Sequence, residues 1–539
     1  MLSLEEKLLI ENNHVILLFS RSVTARWIVR RGIKYMDRKG SIVLYVSLAA
    51  LLLLVIFGAV IPNALESVTA SMQVFISTAF GWYYLIIVTL ITIVCLYFLI
   101  SPVGRLKLGK PDDKPEFSRP TWFAMLFSAG MGIGLVFWGT AEPISHYAVS
   151  SPTGAVGTDQ AIKDAMRYTY FHWGIHAWAI YGIVALVLAY FSFRHGEKSL
   201  ISATLRPIFG DKVDNTLGKV IDIFAVLATV VGVATTLGFG AVQINGGLSY
   251  LFGLPLNFLA QFFIIAVVTV LFMISASTGL KRGIKILSNA NMTLAILLFL
   301  IMFIVGPTLF ILNLFTHTIG TYLQNLAAMS FRMAPLDEDL RGWIDGWTIF
   351  YWAWWIAWSP FVGIFIARVS KGRTIREFVL GVLFVPSIVG FLWFSTFGGS
   401  AMMLEHDGIT QISALAVEES LFGVFSQFPL GYFASIVAMI LISTFFITSA
   451  DSGTYVLGMM TTNGSHSPGN RIKLTWGVML SLTSLVLLYS GGLQALQNTM
   501  IVAALPFSVI MGLMTISLVK SLHKEAKELG IGKIRKTKT

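Results

Sequence analysis

Runs of about 20 mostly apolar residues, each long enough to cross about 30 Å of hydrocarbon, recur along the whole chain with little sequence between them. They cover approximately Ile42 to Pro62, Phe80 to Ser101, Trp122 to Thr140, Tyr168 to Phe193, Val220 to Val242, Leu256 to Ala276, Met292 to Leu314, Trp343 to Ala367, Phe378 to Phe397, Tyr432 to Met460, Leu474 to Ser490 and Leu496 to Val519. Twelve such runs predict an all-α integral membrane protein with twelve transmembrane helices, because a helix satisfies its own backbone in lipid. Composition points the same way. Only 12% of the 539 residues are charged and 56% are apolar, whereas a soluble domain carries about a quarter charged residues to wet its surface. An aromatic content of 13%, and glycines without a three-residue period, exclude disorder and collagen-like structure. The one cysteine, Cys95, lies in an apolar run, so an intrachain disulfide and cysteine-based metal or redox chemistry are not expected. The stretch before Ile42 is basic and has neither a long apolar core nor a small-residue cleavage site, so a removed signal peptide is not expected.

The basic residues orient these runs. Lys and Arg are retained on the cytoplasmic side of each insertion step. With an inside N-terminus, the inside segments hold 34 of the 38 Lys and Arg, and the outside segments hold only Lys163, Arg167, Arg332 and Arg341. The net charge of +11 therefore reads as topology, with both termini cytoplasmic in a cell membrane. Nucleic-acid binding would need a basic soluble domain, which the chain lacks. The tail from Lys520 to Thr539 holds seven Lys and Arg; it serves as an inside anchor or meets anionic lipid headgroups.

Within the spans, the informative positions break the Leu/Ile/Val/Phe habit. Gly130, Gly132 and Gly134 alternate in the third span around Met131. Each weakens a helix by about 1 kcal/mol relative to Ala and removes a side chain that would keep a ligand off the backbone. Unwound backbone could then offer NH groups and carbonyls to an ion or carboxylate, though small residues also allow close helix packing. Trp173, Trp178 and Tyr181 share one broad face of the fourth span at 100° per residue. The eighth span holds Trp347, Trp352, Trp354, Trp355 and Trp358. These occupy about 16 Å of helix, too much for one interfacial belt, so several must lie deeper. Buried indoles facing one another form a cage for quaternary ammonium, although aromatic packing alone would also place them there. In the tenth span, Thr448 and Ser449 offer hard oxygen ligands for a small cation, or bond back to their own helix. Asp451 is read as a partner for broken backbone nearby, Glu142 as a helix cap or salt-bridge residue at a span end, and Thr229 as packing. The nine histidines are scattered, mostly in expected loops, with no catalytic spacing among them, so an enzyme is not expected. A sensor or channel that merely binds the solute is a further alternative, without any appended signalling domain to support it.

Three separated signatures resemble the betaine/carnitine/choline transporter (BCCT) family, glycine betaine type, over nearly all of Gly40 to Val519. They are Gly130-Met131-Gly132-Ile133-Gly134 followed by Gly139-Thr140-Ala141-Glu142-Pro143, the Trp173/Trp178/Tyr181 set, and the run Trp352 to Pro360. The resemblance implies a LeuT-like core of two inverted five-helix repeats, 120–314 and 343–519. Two peripheral helices over 42–101 precede it, and basic cytoplasmic segments 1–41 and 520–539 flank the whole. It implies an aromatic box of Trp173, Trp178, Tyr181 and Trp355, with Trp354 and Trp358 further along the substrate route and the glycine stretch with Met131 lining it. It also implies a sodium ion held by Ser128, Met131, Phe445, Thr448 and Ser449, the apolar residues through their carbonyls. A possible second sodium site falls on Thr229 and Phe361, but the threonine expected four residues after Thr229 is Val233 here.

In function, the resemblance implies a secondary active transporter that imports a trimethylammonium zwitterion, most simply glycine betaine, by sodium symport for osmoprotection, through alternating access in a homotrimer. Choline-preferring relatives tend to place an acidic residue at the position of Gly134, which this chain keeps, so a carboxylate-bearing solute is favoured. The alternative is a sodium-independent exchanger or importer of carnitine or choline. No cofactor beyond the coupling ion is expected.

Overall fold

The computed structural model describes residues 23–130, 132–278 and 281–531. The first part of the basic N-terminal segment and the end of the basic tail lie outside these. Among the described residues the chain is helical throughout, and its only β-type pairing is an isolated bridge between Lys107 and Thr374. Fourteen helices of twelve residues or more carry the structure: α1 (Val23–Val60), α2 (Pro62–Ile100), α3 (Arg119–Gly130), α4 (Ile133–Ile144), α5 (Asp159–Trp173), α6 (Ile175–Ala189), α7 (Thr216–Phe252), α8 (Phe258–Thr278), α9 (Lys281–Val305), α10 (Thr308–Ser330), α11 (Phe350–Val369), α12 (Ile375–His406), α13 (Gly431–Thr461) and α14 (Asn470–Glu528). Their ends follow the sequence. Thr158 accepts from the Ala161 amide to cap α5, Thr374 accepts from the Glu377 amide to cap α12, and Gly253 ends α7 in the left-handed conformation.

Ten helical stretches among the described residues are long and apolar enough to cross a membrane. Two places account for the difference from the twelve runs. The third run is not one helix but α3 and α4, of 12 residues each, broken at Gly132. The last two runs join into α14, which reverses at Gly491–Gly492, where Gly492 takes φ +59°. That reversal makes a hairpin: Lys473 near one end donates to the Ala276 carbonyl and Lys520 near the other to the Pro207 carbonyl, which lie on one face of the molecule. A further boundary is corrected. The seventh run, Met292 to Leu314, straddles two helices, since α9 ends at Val305 and α10 begins after Gly306 and Pro307. Proline cannot donate within a helix, and hydropathy does not register the break. The buried residues of α10, Ile311, Leu314, Thr318 and Tyr322, recur every three or four positions, so it packs one face only.

Burial sorts the helices into two shells. The apolar part of the stretch through α5 and α6 is wholly buried and that of α11 nearly so, while α1, α8 and α9 turn most of their apolar residues outward. Leu53, Phe75, Val267 and Ile304 are among many exposed large apolar residues; in lipid this face is solvated. At the centre, α11 packs against α6 and α7, and α4 packs against α12. Glycine allows the close approach: a Cβ on Gly363 would lie 2.7 Å from Val184 Cγ1 and 3.2 Å from the Ala185 amide nitrogen.

One face of the bundle collects the Lys/Arg-rich connections. Arg194 pairs with Glu525 and donates to the Gly109 carbonyl, Arg373 pairs with Glu377 and donates to the Phe117 carbonyl, and Lys198 donates to Asn463. The opposite face is closed by Trp343 donating to the Ser150 carbonyl and His406 pairing with Asp159.

The hairpin glycine generates a test. An added Cβ at Gly492 meets nothing within 4 Å, so its cost is backbone strain alone, about 1–3 kcal/mol. Gly320, inside α10, also has open space, and there alanine gains about 0.5–1 kcal/mol. Gly492→Ala lowers the thermal midpoint of purified protein in detergent, read by tryptophan fluorescence, and Gly320→Ala leaves it unchanged or raises it. Coincident melting of Gly492→Ala and the parent would show that the reversal does not require this conformation.

Candidate functional site

The break at Gly132 sets the geometry of the central site. Gly132 takes φ −154° and ψ −140° and caps the start of α4, so the first amides of α4 lack the usual i−4 acceptors, and of them Leu135 N–H closes back on the Gly132 carbonyl at 3.1 Å. A small cavity of about 10 Å³ adjoins this turn, lined by Gly132, Gly134, Leu135, Trp173, Thr236, Trp354, Trp355 and Trp358. Gly134 makes it possible: a Cβ there would lie 2.5 Å from Trp354 Cη2 and 3.4 Å from Trp173 Cη2. The free volume is about that of one water-sized sphere, so the surrounding rings must part before a trimethylated solute can enter.

Every aromatic residue expected in the box is buried. Trp173 and Trp355 meet at 73° with centroids 4.8 Å apart, Tyr181 meets Trp355 at 77° and 5.8 Å, and Trp178 meets Tyr181 at 80° and 5.7 Å. Near-perpendicular faces at these spacings are those of adjoining cage walls, here covered by one another's edges. Trp354 stacks on Trp355 at 5.0 Å and 9°. Trp173, Trp354, Trp355 and Trp358 reach the cavity wall, while Tyr181 stands behind Trp355 and Trp178 behind Tyr181. Trp347 and Trp352 turn elsewhere, the first against His146 and the second stacked on His176. Gly130 ends α3. Met131 lies outside the described residues.

Most indole NH groups in this cluster are anchored, and the anchors orient the rings. Trp173 Nε1 donates to Glu142 Oε2 at 2.7 Å, Trp355 Nε1 to the His172 carbonyl at 2.9 Å, and Trp358 Nε1 to the Gly232 carbonyl at 2.8 Å. Trp354 Nε1 and the Tyr181 hydroxyl are buried without a partner; of the two, Trp354 lines the cavity and so offers a donor to a bound solute. Thr236 was not expected at the cavity; its hydroxyl donates to the Gly232 carbonyl, and in sequence it looks like one more small residue of α7.

Of the two roles read for Glu142 from sequence, the pairing one is what the structure shows: it is not an end-of-helix cap but a fully buried carboxylate paired with His146 and His172. His172 Nδ1 lies 2.7 Å from Oε1 and His146 Nε2 3.3 Å from it, while Tyr351 donates to Oε2 at 2.5 Å beside Trp173. The histidines are likewise less scattered than expected, since His146 and His172 share this carboxylate. The Thr140 to Pro143 motif contained the signal, but nothing local in it reveals the partners.

The ion-site residues divide. The side chains of Ser128 and Met131 lie outside those the structure describes. Ser449 Oγ lies 3.9 Å from the Cβ position of Gly132, so α13 does face the break. Thr448 bonds back to the Thr444 and Phe445 carbonyls and accepts from Asn291 Nδ2 at 3.0 Å. Asn291 Oδ1, buried and unpartnered, adds an oxygen beside Thr448, so the donor set suits a small hard cation. Asp451 takes the Ser275 hydroxyl at 2.7 Å rather than broken backbone. At the possible second site, Thr229 donates to the Ala225 carbonyl and faces Met460 Sδ, while Phe361 packs edge-on against Trp358. Val233, where a second threonine was looked for, lies 3.1 Å from the Cβ position of Gly453.

Known proteins share much of this sequence. The profile of the BCCT, betaine/carnitine/choline family transporter, matches residues 42–527. The chain is 60% identical over 489 residues to the glycine betaine transporter OpuD of Bacillus subtilis, an alignment covering 91% of this chain and 96% of that one. It is 44% identical to a probable glycine betaine transporter of Desulfitobacterium hafniense, covering 91% and 99%, and 43% identical to an ectoine/hydroxyectoine transporter of Virgibacillus pantothenticus, covering 90% and 97%. With its multi-helix bundle closed around buried tryptophans and a broken helix, the chain belongs to the betaine/carnitine/choline transporter family of membrane transporters.

Proposed function

We propose that the protein imports glycine betaine by sodium symport. The observation that carries this reading is the wall of Trp173, Trp354 and Trp355 beside the N-terminal turn of α4 at Gly132. A trimethylammonium group offers no hydrogen to bond and is held by aromatic faces. A carboxylate is held by amides at a helix N-terminus, where the dipole adds to the attraction. The cavity presents both within one solute's length, and the unpartnered Trp354 Nε1 supplies a further donor. The glycine betaine relatives at 60% and 44% identity support the same solute.

Sodium coupling is assigned to the neighbourhood of Ser449, which faces the break at Gly132 from α13, with the Thr448 hydroxyl and the Phe445 carbonyl beside it on the same helix. An ion there stabilises the unwound segment whose amides meet the solute carboxylate, so each ligand raises the other's affinity. Transport follows by rocking of one group of helices against the other around the shared site, in the manner of inverted five-helix repeats. The closed cavity fits an occluding step in such a cycle. The basic face, with residues 194–216 and the end of α14, is assigned to the cytoplasm because Lys and Arg are retained there.

Two outcomes are expected. Removing one cage ring costs about 1–2 kcal/mol, so Trp355→Leu raises the apparent KM for radiolabelled glycine betaine about 5- to 30-fold at matched membrane levels. An unchanged KM would remove Trp355 from the site. In proteoliposomes, an inward sodium gradient drives accumulation above the external concentration, and replacing sodium with potassium abolishes it. Equal accumulation in both salts would favour sodium-independent exchange.

A further inference from the structure

The charged hub behind the cage has a role that aromatic packing does not supply. Glu142 is buried beside Trp173 and both its oxygens are used. Oε2 receives Trp173 Nε1 at 2.7 Å and the Tyr351 hydroxyl at 2.5 Å, and Oε1 lies 2.7 Å from His172 Nδ1 and 3.3 Å from His146 Nε2. His172 in turn faces the Thr348 hydroxyl through Nε2 at 3.0 Å, and its carbonyl receives Trp355 Nε1 at 2.9 Å. Four donors converge on one acceptor-only group. They come from α5, from the turn after α4, and from the first turn of α11. One cage wall, Trp173, thus hangs directly from a carboxylate on α4, the helix whose first turn lines the cavity, and a second, Trp355, hangs from the main-chain carbonyl of the residue, His172, whose ring that same carboxylate holds.

We propose that Glu142 is a positioning residue for the cation cage: its carboxylate fixes Trp173 directly, and Trp355 through His172, with their faces turned toward the solute. This rests on the aromatic cage proposed above. The alternative is that Glu142 merely holds the bundle together. The two differ physically. Without the carboxylate, the Trp173 NH has no acceptor in a dry site and the ring turns to find one, so affinity falls even where the fold survives. A purely structural carboxylate affects the amount of folded protein and leaves the affinity of the surviving molecules unchanged.

Glu142→Gln is the test, because the amide keeps the size but turns an NH2 group toward two of the donors. Glycine betaine is titrated against intrinsic tryptophan fluorescence of the purified full chain, and uptake is measured in proteoliposomes. Hydrogen bonds to a charged group are each worth about 1.5–3 kcal/mol, so Kd and KM should rise about tenfold or more while Vmax stays within about twofold. Trp173→Phe, which removes the NH donor, should weaken binding too. The double variant should bind within about twofold of the weaker single one, since coupled residues are not additive. A parent-like Kd for Glu142→Gln, or a double variant whose loss is the product of the single losses, overturns the proposal.

Should Glu142→Gln not fold, Tyr351→Phe removes a single donor from Oε2 and keeps the ring. It should raise Kd about threefold, less than Glu142→Gln does, because Trp173 and His172 keep their own bonds to the carboxylate and only its orientation loosens, and an unchanged Kd would again overturn the proposal. Trp355→Leu serves as the reference. If it too binds like the parent, the cage itself is wrong; if it weakens binding and Glu142→Gln does not, only the positioning role falls.

Discussion

A buried indole has one polar atom, and in a membrane interior that NH must find a partner within the protein. The centre of this molecule is organised by how that requirement is met. Trp173 uses Glu142, Trp355 uses the His172 carbonyl and Trp358 uses the Gly232 carbonyl. With each NH tied back into the bundle, the apolar faces turn toward the cavity. Trp138 and Trp354 are the exceptions, both NH groups being buried without a partner; of the two only Trp354 lines the cavity, where a solute carboxylate would satisfy it.

Glycine supplies the room. Gly134 admits two indoles where any side chain would collide with Trp354, and Gly232 accepts Trp358, whose Cδ1 would lie 2.8 Å from an added Cβ. Gly132 breaks the third span and exposes the amides of α4. In the same way Gly174, with φ −94° and ψ −140°, separates α5 from α6 between Trp173 and Trp178, so the two sides of the box sit on separate helical segments. The box is thus carried by short pieces of helix joined at glycine and held by a few specific polar contacts.

Much of this was legible in the sequence, and the remainder was not for definite reasons. The spans and the basic face follow from hydropathy and charge, which are local properties of a run. The alternating glycines marked the break in the third span. The break at Gly306–Pro307 escaped because apolar character continues across it from α9 into α10. Which tryptophans line the cavity depends on the rotation of α11 and on its neighbours, so Trp347 and Trp352, equally aromatic in sequence, turn away from it. Glu142 illustrates the deepest limit. A carboxylate near a span end looks like a cap, and only folding together α4, α5 and α11 shows that it collects His146, His172, Trp173 and Tyr351.

The central claim is that these rings hold a positive charge and not simply a ball of methyl groups. Competition against radiolabelled glycine betaine uptake by tert-butylacetate, in which carbon replaces the quaternary nitrogen at the same shape and with the same carboxylate, isolates that charge. Attraction of a desolvated cation to aromatic faces is worth about 2 kcal/mol or more, so tert-butylacetate should compete at least about 30-fold more weakly than unlabelled glycine betaine. Equal competition by the two would contradict the account.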